Sequence, residues 1–480
     1  MKEFDLSRPQ NFWFNEIAKI PHPSFHEKKI SDFVVSFAEK RGLKWKQDHV
    51  WNVIVEKPAS PGCENAKPLI LQAHIDMVPA KVDGSTHNFE TDPLDLYVDE
   101  EGFLHARGTT LGGDDGHGVA YMLSILDDDE LVHPPLQCFF TTMEEVGLLG
   151  SMELKPEDVH ADRMINLDGG GETSTGISAA GGCTVYVHKD IEWIKNERPT
   201  FKLEIGGLTG GHSGGMIHLE KGNAIVIAAR IIEEAIAKGM DFDLVGFTGG
   251  EKDNAIPRKA AVTFVSCTPV EQIKQWVAES EANIKVELEF SDSGVCAEVK
   301  ETEPAECFIK DGVSVIDYAY LAPNGFQHRS MAIQGLTVTS LNLGVVTTNE
   351  KEVFFDTLIR SAMNHATDDL KDRLHLLADK LGLRYQLLAR FSGWNYEPVS
   401  PMRELLRKTV KDFGGELVEH AGHGGNECGV FKALNPKLDI ITFGPKGSDV
   451  HTPNEKLDLD SFDRSYQMLK CMVSACAREE

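Results

Sequence analysis

Five short segments of this chain carry residue types that bind divalent metals, each at the edge of an apolar run. Four are Leu71-Gln72-Ala73-His74-Ile75-Asp76, Gly112-Gly113-Asp114-Asp115-Gly116, Met143-Glu144-Glu145-Val146-Gly147 and Ile165-Asn166-Leu167-Asp168-Gly169. The fifth lies far along the chain, where His451-Thr452-Pro453-Asn454-Glu455 follows Phe443-Gly444-Pro445. Strand tips carrying His, Asp, Glu, Asp and His suit a two-metal hydrolytic site. One imidazole and one terminal carboxylate serve each ion, and a shared carboxylate holds the pair about 3.5–4 Å apart.

Taken singly, each segment has a plainer reading. His74 and Asp76 fall on the same side of an extended segment, so His74 is a ligand candidate with Asp76 beside it; a hydrogen-bonded histidine after a strand is the alternative. Asp114 and Asp115 sit between turn-permitting glycines at a helix start, where either could simply cap the helix. Of the Glu144-Glu145 pair, one could coordinate metal while the other serves as general base, or both could form a solvated acidic helix start. Asp168, before three glycines, reads equally as a ligand or a turn residue. His451 is a loop histidine in a Gly-rich stretch. The ordered series His-x-Asp, Asp, Glu-Glu, Asp, His carries more weight than any member.

Strands and helices must bring these segments together. Over 68–73 a continuous apolar run reads as a buried central strand, and further strands fall at 136–142, 161–167 and 439–443. A hairpin is expected from 45–47 and 52–56. Helices are expected at 9–19, 27–40, 116–126, 402–413 and 461–476. From about residue 182 the texture becomes α+β, with alternating strands at 184–188 and 200–205, further strands at 260–265, 285–290, 337–345 and 352–359, and a helix at 224–237. The expected organisation is an α/β catalytic domain with a mixed central sheet flanked by helices, in two parts (1–185 and 393–480), interrupted by an inserted α+β lid domain (186–392).

With 480 residues, two domains are expected. Apolar residues make up 41% and charged residues 26%, ordinary for a globular protein. The 48 Lys and Arg against 75 Asp and Glu give a net charge of −27, which argues against nucleic acid or an anionic membrane as partner. No run approaches the roughly 20 apolar residues of a spanning helix, and the start, Met1-Lys2-Glu3-Phe4-Asp5-Leu6, lacks the apolar core of a secretory signal. Nine scattered cysteines, odd in number and without a CxxC pair, point to reduced thiols and a cytoplasmic protein.

On these motifs the chain resembles the dinuclear zinc aminopeptidase/carboxypeptidase superfamily and, within it, the bacterial aminoacyl-histidine dipeptidases. The resemblance runs nearly the whole length. It takes in Ile20-Pro21-His22-Pro23-Ser24, Leu71-Gln72-Ala73-His74-Ile75-Asp76-Met77-Val78-Pro79, Ala106-Arg107-Gly108-Thr109-Thr110-Leu111-Gly112, Gly210-Gly211-His212-Ser213-Gly214-Gly215, Asn254-Ala255-Ile256-Pro257-Arg258 and Leu358-Ile359-Arg360-Ser361. It implies that His74, Asp114 and Asp168 bind one metal and Asp114, Glu145 and His451 the other, with Asp114 bridging and a cis peptide after it. It implies two Zn²⁺ ions, with Co²⁺ or Mn²⁺ as alternatives, Glu144 as general base, and Asp76 orienting His74. On the insert it implies that His212 polarises the scissile carbonyl and Arg360 holds the substrate's terminal carboxylate, so the lid must close for them to act.

The implied activity is metal-dependent hydrolysis of dipeptides, Xaa-His and broader. Tripeptide aminopeptidase and amino-acid N-deacylase are the enzymatic alternatives, and a non-catalytic binding protein is the alternative of another class. The oligomeric state is left open, a homodimer included. One departure stands out: His420-Ala421-Gly422-His423-Gly424-Gly425-Asn426-Glu427-Cys428-Gly429 is slightly longer than the usual Gly-Leu-Glu-Cys-Gly stretch, and it bears on side-chain selectivity. After Asp168 the chain is also Gly-rich where relatives often carry acids.

Overall fold

The computed structural model describes residues 4–478; residues 1–3 of the stretch read for a secretory signal lie outside them. The chain forms two compact units. One comprises Met1–Ala179, Trp394–Gly422 and Asn426–Glu480, the other Ala180–Gly393 and His423–Gly425. The first division thus falls a few residues before the expected 185/186. The cause is the strand Gly181–Asp190, which pairs along its whole length with Glu352–Ser361 of the second unit.

The first unit is built on a six-stranded mixed sheet, in the order Lys44–Gln47, Val53–Lys57, Leu136–Thr141, Leu69–His74, Arg163–Asn166, Asp439–Thr442. The last four run parallel to one another and the first two are antiparallel. The two central strands, Leu69–His74 and Leu136–Thr141, are buried at every position. Their side chains alternate between two cores. Val53, Val55, Leu69, Leu71, Ala73, Cys138, Phe140, Ile165 and Ile441 face one, with the helices Pro9–Ala18, Gly113–Asp127 and Leu459–Cys476. Ile54, Ile70, Phe139, Met164 and Ile440 face the other, with Phe431 of the helix Glu427–Leu434. Burial on both faces explains why these strands read as continuous apolar runs rather than alternating ones.

Because the four strands are parallel, their carboxyl ends share one edge of the sheet, the edge where open α/β sheets bind ligands. His74 ends one strand, and Glu144, Asp168 and Gly444 follow the ends of the others. A small four-stranded sheet joins Leu96–Val98 and Phe103–Ala106, upstream of Gly112, to Gly447–Ser448 and Lys456–Asp458, which flank His451.

The second unit holds a nine-stranded antiparallel sheet with the helices Ala224–Ala237, Val270–Glu287, Val313–Leu321 and Asn364–Lys380. Asn223 caps the first of these, its side chain accepting from the N–H groups of Ile225 and Val226 at 3.0 and 3.3 Å. Phe201, Leu203, Ile205, Val262 and Phe264 project into the core below. The strand expected at 285–290 is absent: residues 285–287 close the helix Val270–Glu287, whose buried face is Ile273, Val277, Ser280 and Ile284. Lys285 is paired with Glu281 one turn back at 2.6 Å.

Candidate metal centre

Four of the five candidate ligands, His74, Asp114, Glu145 and His451, converge, and Asp168 is linked to them through the charge of Asp114. His74 Nε2 lies 3.0 Å from Asp114 Oδ1, and His451 Nε2 lies 3.3 Å from Asp114 Oδ2 and 2.9 Å from Glu145 Oε1. Asp114 thus stands between the two imidazoles. One ligand atom from each of His74, Asp114 and Glu145 falls within 4.8 Å of the others, as in a metal-binding group.

Each ligand has a local reason for its place. His74 Nδ1 donates to the Asp76 carbonyl at 3.0 Å, with the Asp76 carboxylate at 3.4 Å, so Nε2 is turned toward Asp114. The Asp76 carboxylate does more. It accepts from the N–H groups of Glu144 and Glu145 at 3.0 and 3.3 Å and from Ser24 Oγ at 2.8 Å, fixing the turn that presents both glutamates. That turn is not a solvated helix start. Asp114 and Asp115, joined by a cis peptide, have divergent roles. Asp114 faces the histidines, whereas the fully buried Asp115 accepts from the Gly118 N–H at 3.1 Å and caps the following helix.

The charges are strongly perturbed. Hydrogen bonds from His451 and His74 overcome burial and hold Asp114 well below the ordinary carboxylate range. His74 is raised well above its ordinary value, because Asp114 and Asp76 outweigh its burial. The hydrogen bond to Asp114, with Glu145 nearby, raises His451 to about 9. The acids around them go the other way. Burial first, then the charge of Asp114, pushes Asp168 well up and Glu145 up to about 7. Glu144 rises for the same reasons, although His74 opposes the shift. Carboxyl groups driven up by burial and mutual repulsion beside two imidazoles form a donor set that divalent cations relieve, so these residues fit a metal pair.

Two further acids escaped the sequence reading. Buried Glu455 accepts from the backbone N–H groups of Leu111, Gly112, Gly113 and Asp114 at 2.7, 3.1, 2.8 and 3.3 Å, clamping the turn that presents Asp114. Glu427, fully buried, accepts from Thr141 Oγ1 at 2.8 Å and from Gln72; burial and then Glu144 push it up to about 7. The signal available for Glu455 was its place four residues after His451, with no spacing that marks a backbone clamp.

His212 and Arg360 belong to the second unit. His212 pairs with Ala255 in a two-stranded ladder, and its Nδ1 accepts from the N–H groups of Gly214 and Gly215 at 3.1 and 3.2 Å. The ring proton is therefore on Nε2. Burial and then the charge of Arg360 lower the basicity of His212, so the two side chains sense one another. Arg360 lies opposite Ser340 in the ladder between Thr337–Thr348 and Glu352–Ser361, and its Nε is buried without a hydrogen-bond partner.

Residues 70–475 match the model of peptidase family M20/M25/M40. The chain is 35% identical to the cytosol non-specific dipeptidase of Escherichia coli K12 over 98% of both chains. Among solved structures it is similar to the aminoacylhistidine dipeptidase of Vibrio alginolyticus, with a TM-score of 0.88, 33% identity and coverage of 97% of this chain and 96% of that one. An aminopeptidase from Bacillus cereus shares the fold at a TM-score of 0.57 and 14% identity, with 98% of each chain covered.

Proposed function

The chain belongs to peptidase family M20/M25/M40, and within that family we propose that it is a metal-dependent dipeptidase acting on peptides with a free amino group and a free C-terminal carboxylate. The observation that carries this reading is the convergence of His74, Asp114, Glu145 and His451 beside the Glu144 turn. Similarity over nearly the full length to the two dipeptidases supports it.

His74, Asp114 and Asp168 would hold one divalent ion and Asp114, Glu145 and His451 the second, with Asp114 shared. A divalent ion such as Zn²⁺, once held there, would supply acidification of water and stabilisation of negative charge on oxygen. Glu144, made more basic by burial, takes a proton from the attacking water and returns it to the leaving amine. His212 presents Nε2–H to the carbonyl oxygen as that oxygen gains charge, because its other nitrogen is occupied by Gly214 and Gly215. Arg360 pairs its guanidinium with the substrate's C-terminal carboxylate.

A cytoplasmic setting accords with the odd number of scattered cysteines and with the cytosol relative. Among the described residues no helix is long and apolar enough to cross a membrane.

The test is a panel of dipeptides, tripeptides and N-acyl amino acids given to purified enzyme, with and without chelator. Dipeptides should be the best substrates and should lose hydrolysis on chelation, with recovery on adding Zn²⁺, Co²⁺ or Mn²⁺. Faster cleavage of tripeptides or N-acyl amino acids, or chelator-resistant turnover, would overturn the reading.

A further inference from the structure

The extra length noted in 420–429 has a defined place in the second unit. His423–Gly425 cluster with Ala180–Gly393, although the segments on either side belong to the first unit. The Ala180 N–H donates to the Gly424 carbonyl at 2.8 Å, and His423 Nε2 lies 2.7 Å from Ser340 Oγ. Ser340 is the direct cross-strand partner of Arg360. Such partners project from the same face with their Cβ atoms about 4.5–5.5 Å apart. The bond to Ser340 therefore holds the imidazole on the strand pair that carries Arg360, within range of the guanidinium's charge.

The backbone of His423 also borders the turn that holds His212. A Cβ added at Gly214 would stand 2.9 Å from His212 Cε1 and 3.4 Å from the His423 carbonyl oxygen. One loop residue thus touches both the strand partner of Arg360 and the turn below His212. Its neighbours Gly422, Gly424 and Gly425 have no side chains, so the bulk of this loop is concentrated in one ring. Burial, and next the charge of Arg360, push His423 down to about 4. At neutral pH the ring is uncharged, which leaves Arg360 as the cation facing a carboxylate.

We propose that His423 is a specificity-determining residue, a fixed wall that limits the size of the C-terminal side chain of a dipeptide whose carboxylate is held by Arg360. The proposal rests on the Arg360 clamp proposed above. In an α-amino acid the side chain leaves the carbon bonded to the carboxylate, so a carboxylate on Arg360 puts that side chain within reach of the neighbouring ring. A neutral imidazole anchored by Ser340 acts there through volume rather than charge.

The experiment measures kcat/KM of metal-loaded wild type, His423→Ala, His423→Gln and Arg360→Ala on Ala-Gly, Ala-Leu, Ala-Phe and the C-terminal amide of Ala-Phe. His423→Ala should raise the Ala-Phe to Ala-Gly ratio at least about tenfold, the scale on which pocket volume discriminates. Its ratio of free dipeptide to amide should stay that of wild type. His423→Gln keeps bulk and a polar atom for Ser340, and should return the side-chain ratio to within about threefold of wild type. If Arg360→Ala abolishes the preference for the free carboxylate but His423→Ala leaves the side-chain ratio unchanged, the clamp stands and the wall is refuted. If Arg360→Ala keeps the wild-type preference, the clamp fails and the wall falls with it.

Discussion

Glu455→Gln isolates the part of the metal centre that is held through backbone alone. In the native protein both carboxylate oxygens are used: one accepts from Leu111 and Gly112, the other from Gly113 and Asp114. Glutamine keeps one acceptor oxygen and turns an NH₂ group toward the remaining pair of N–H donors. Two hydrogen bonds to a charged acceptor are lost, each worth about 1.5–3 kcal/mol. Burial already raises the Glu455 carboxyl despite these donors, so removing its charge returns some energy. The low end of the sum, about 3 kcal/mol, is the expected loss. At about 2–4 °C per kcal/mol, Tm measured in chelator should drop by roughly 6 °C or more. Metal affinity, measured by titration with a competing chromophoric chelator, should fall about 10–100-fold, the range for residues that orient a ligand. Glu455→Asp retains the charge with a shorter reach and serves if the Gln variant does not fold; its affinity should fall by a smaller factor. Metal affinity within about threefold of wild type, together with an unchanged Tm, would refute the argument that this clamp positions Asp114.

Other perturbations separate the remaining parts. Glu144→Gln should cut turnover at least about 10²-fold while metal content, read by elemental analysis, stays that of wild type; near-normal turnover would remove Glu144 as the base. His212→Ala should lower kcat at least about 10²-fold, on the scale of one lost oxyanion donor, with metal content unchanged; a change confined to metal content would contradict its role at the carbonyl. Metal uptake should release protons at pH 7, because Glu145 titrates at about 7 and His451 at about 9 in the metal-free protein and both must give up protons to bind. Affinity should therefore weaken as pH falls below about 9, where His451 protonates, and more steeply below about 7, where Glu145 does. Calorimetry in buffers of different ionisation enthalpy that shows no proton release would sink this account.

The buried strands were legible because the first unit's sheet is covered on both faces, so that Leu69–His74 is buried throughout and ends in a ligand, and Arg163–Asn166 is buried throughout two residues before Asp168. The helix expected at 224–237 is present with the same bounds, and the structure adds its Asn223 cap. In the strand expected at 285–290, Val286, Leu288 and Phe290 alternate with charged residues. Val286 and Phe290 prove to be exposed, at 73% and 97%, so that alternation carries no burial, and the helical spacing of Ile273, Val277 and Ile284 prevails. The choice between Asp114 and Asp115 needed the resemblance, since adjacent acids look alike until one faces the histidines and the other the helix N–H groups. Glu455 was illegible because its partners are backbone groups, the first of them 344 positions earlier. The wider role of Asp76 was hidden likewise, since it too grips backbone N–H groups rather than a spaced set of side chains.

The place of Asp439–Thr442 in the sheet has a consequence for how the protein is made. This strand completes the edge beside Arg163–Asn166, yet it emerges from the ribosome only after the whole of Ala180–Gly393. Until then the nascent first unit has five of its six strands, and an apolar parallel strand stands with its backbone N–H and C=O groups unpaired, an invitation to adhesion between chains. The intervening segment is contiguous and carries its own core, so it can fold while that edge waits. His451 arrives later still, which makes the metal centre among the last features of the molecule to be assembled. Slower synthesis of the segment between Gly393 and Asp439 lengthens the time for which that edge stands open.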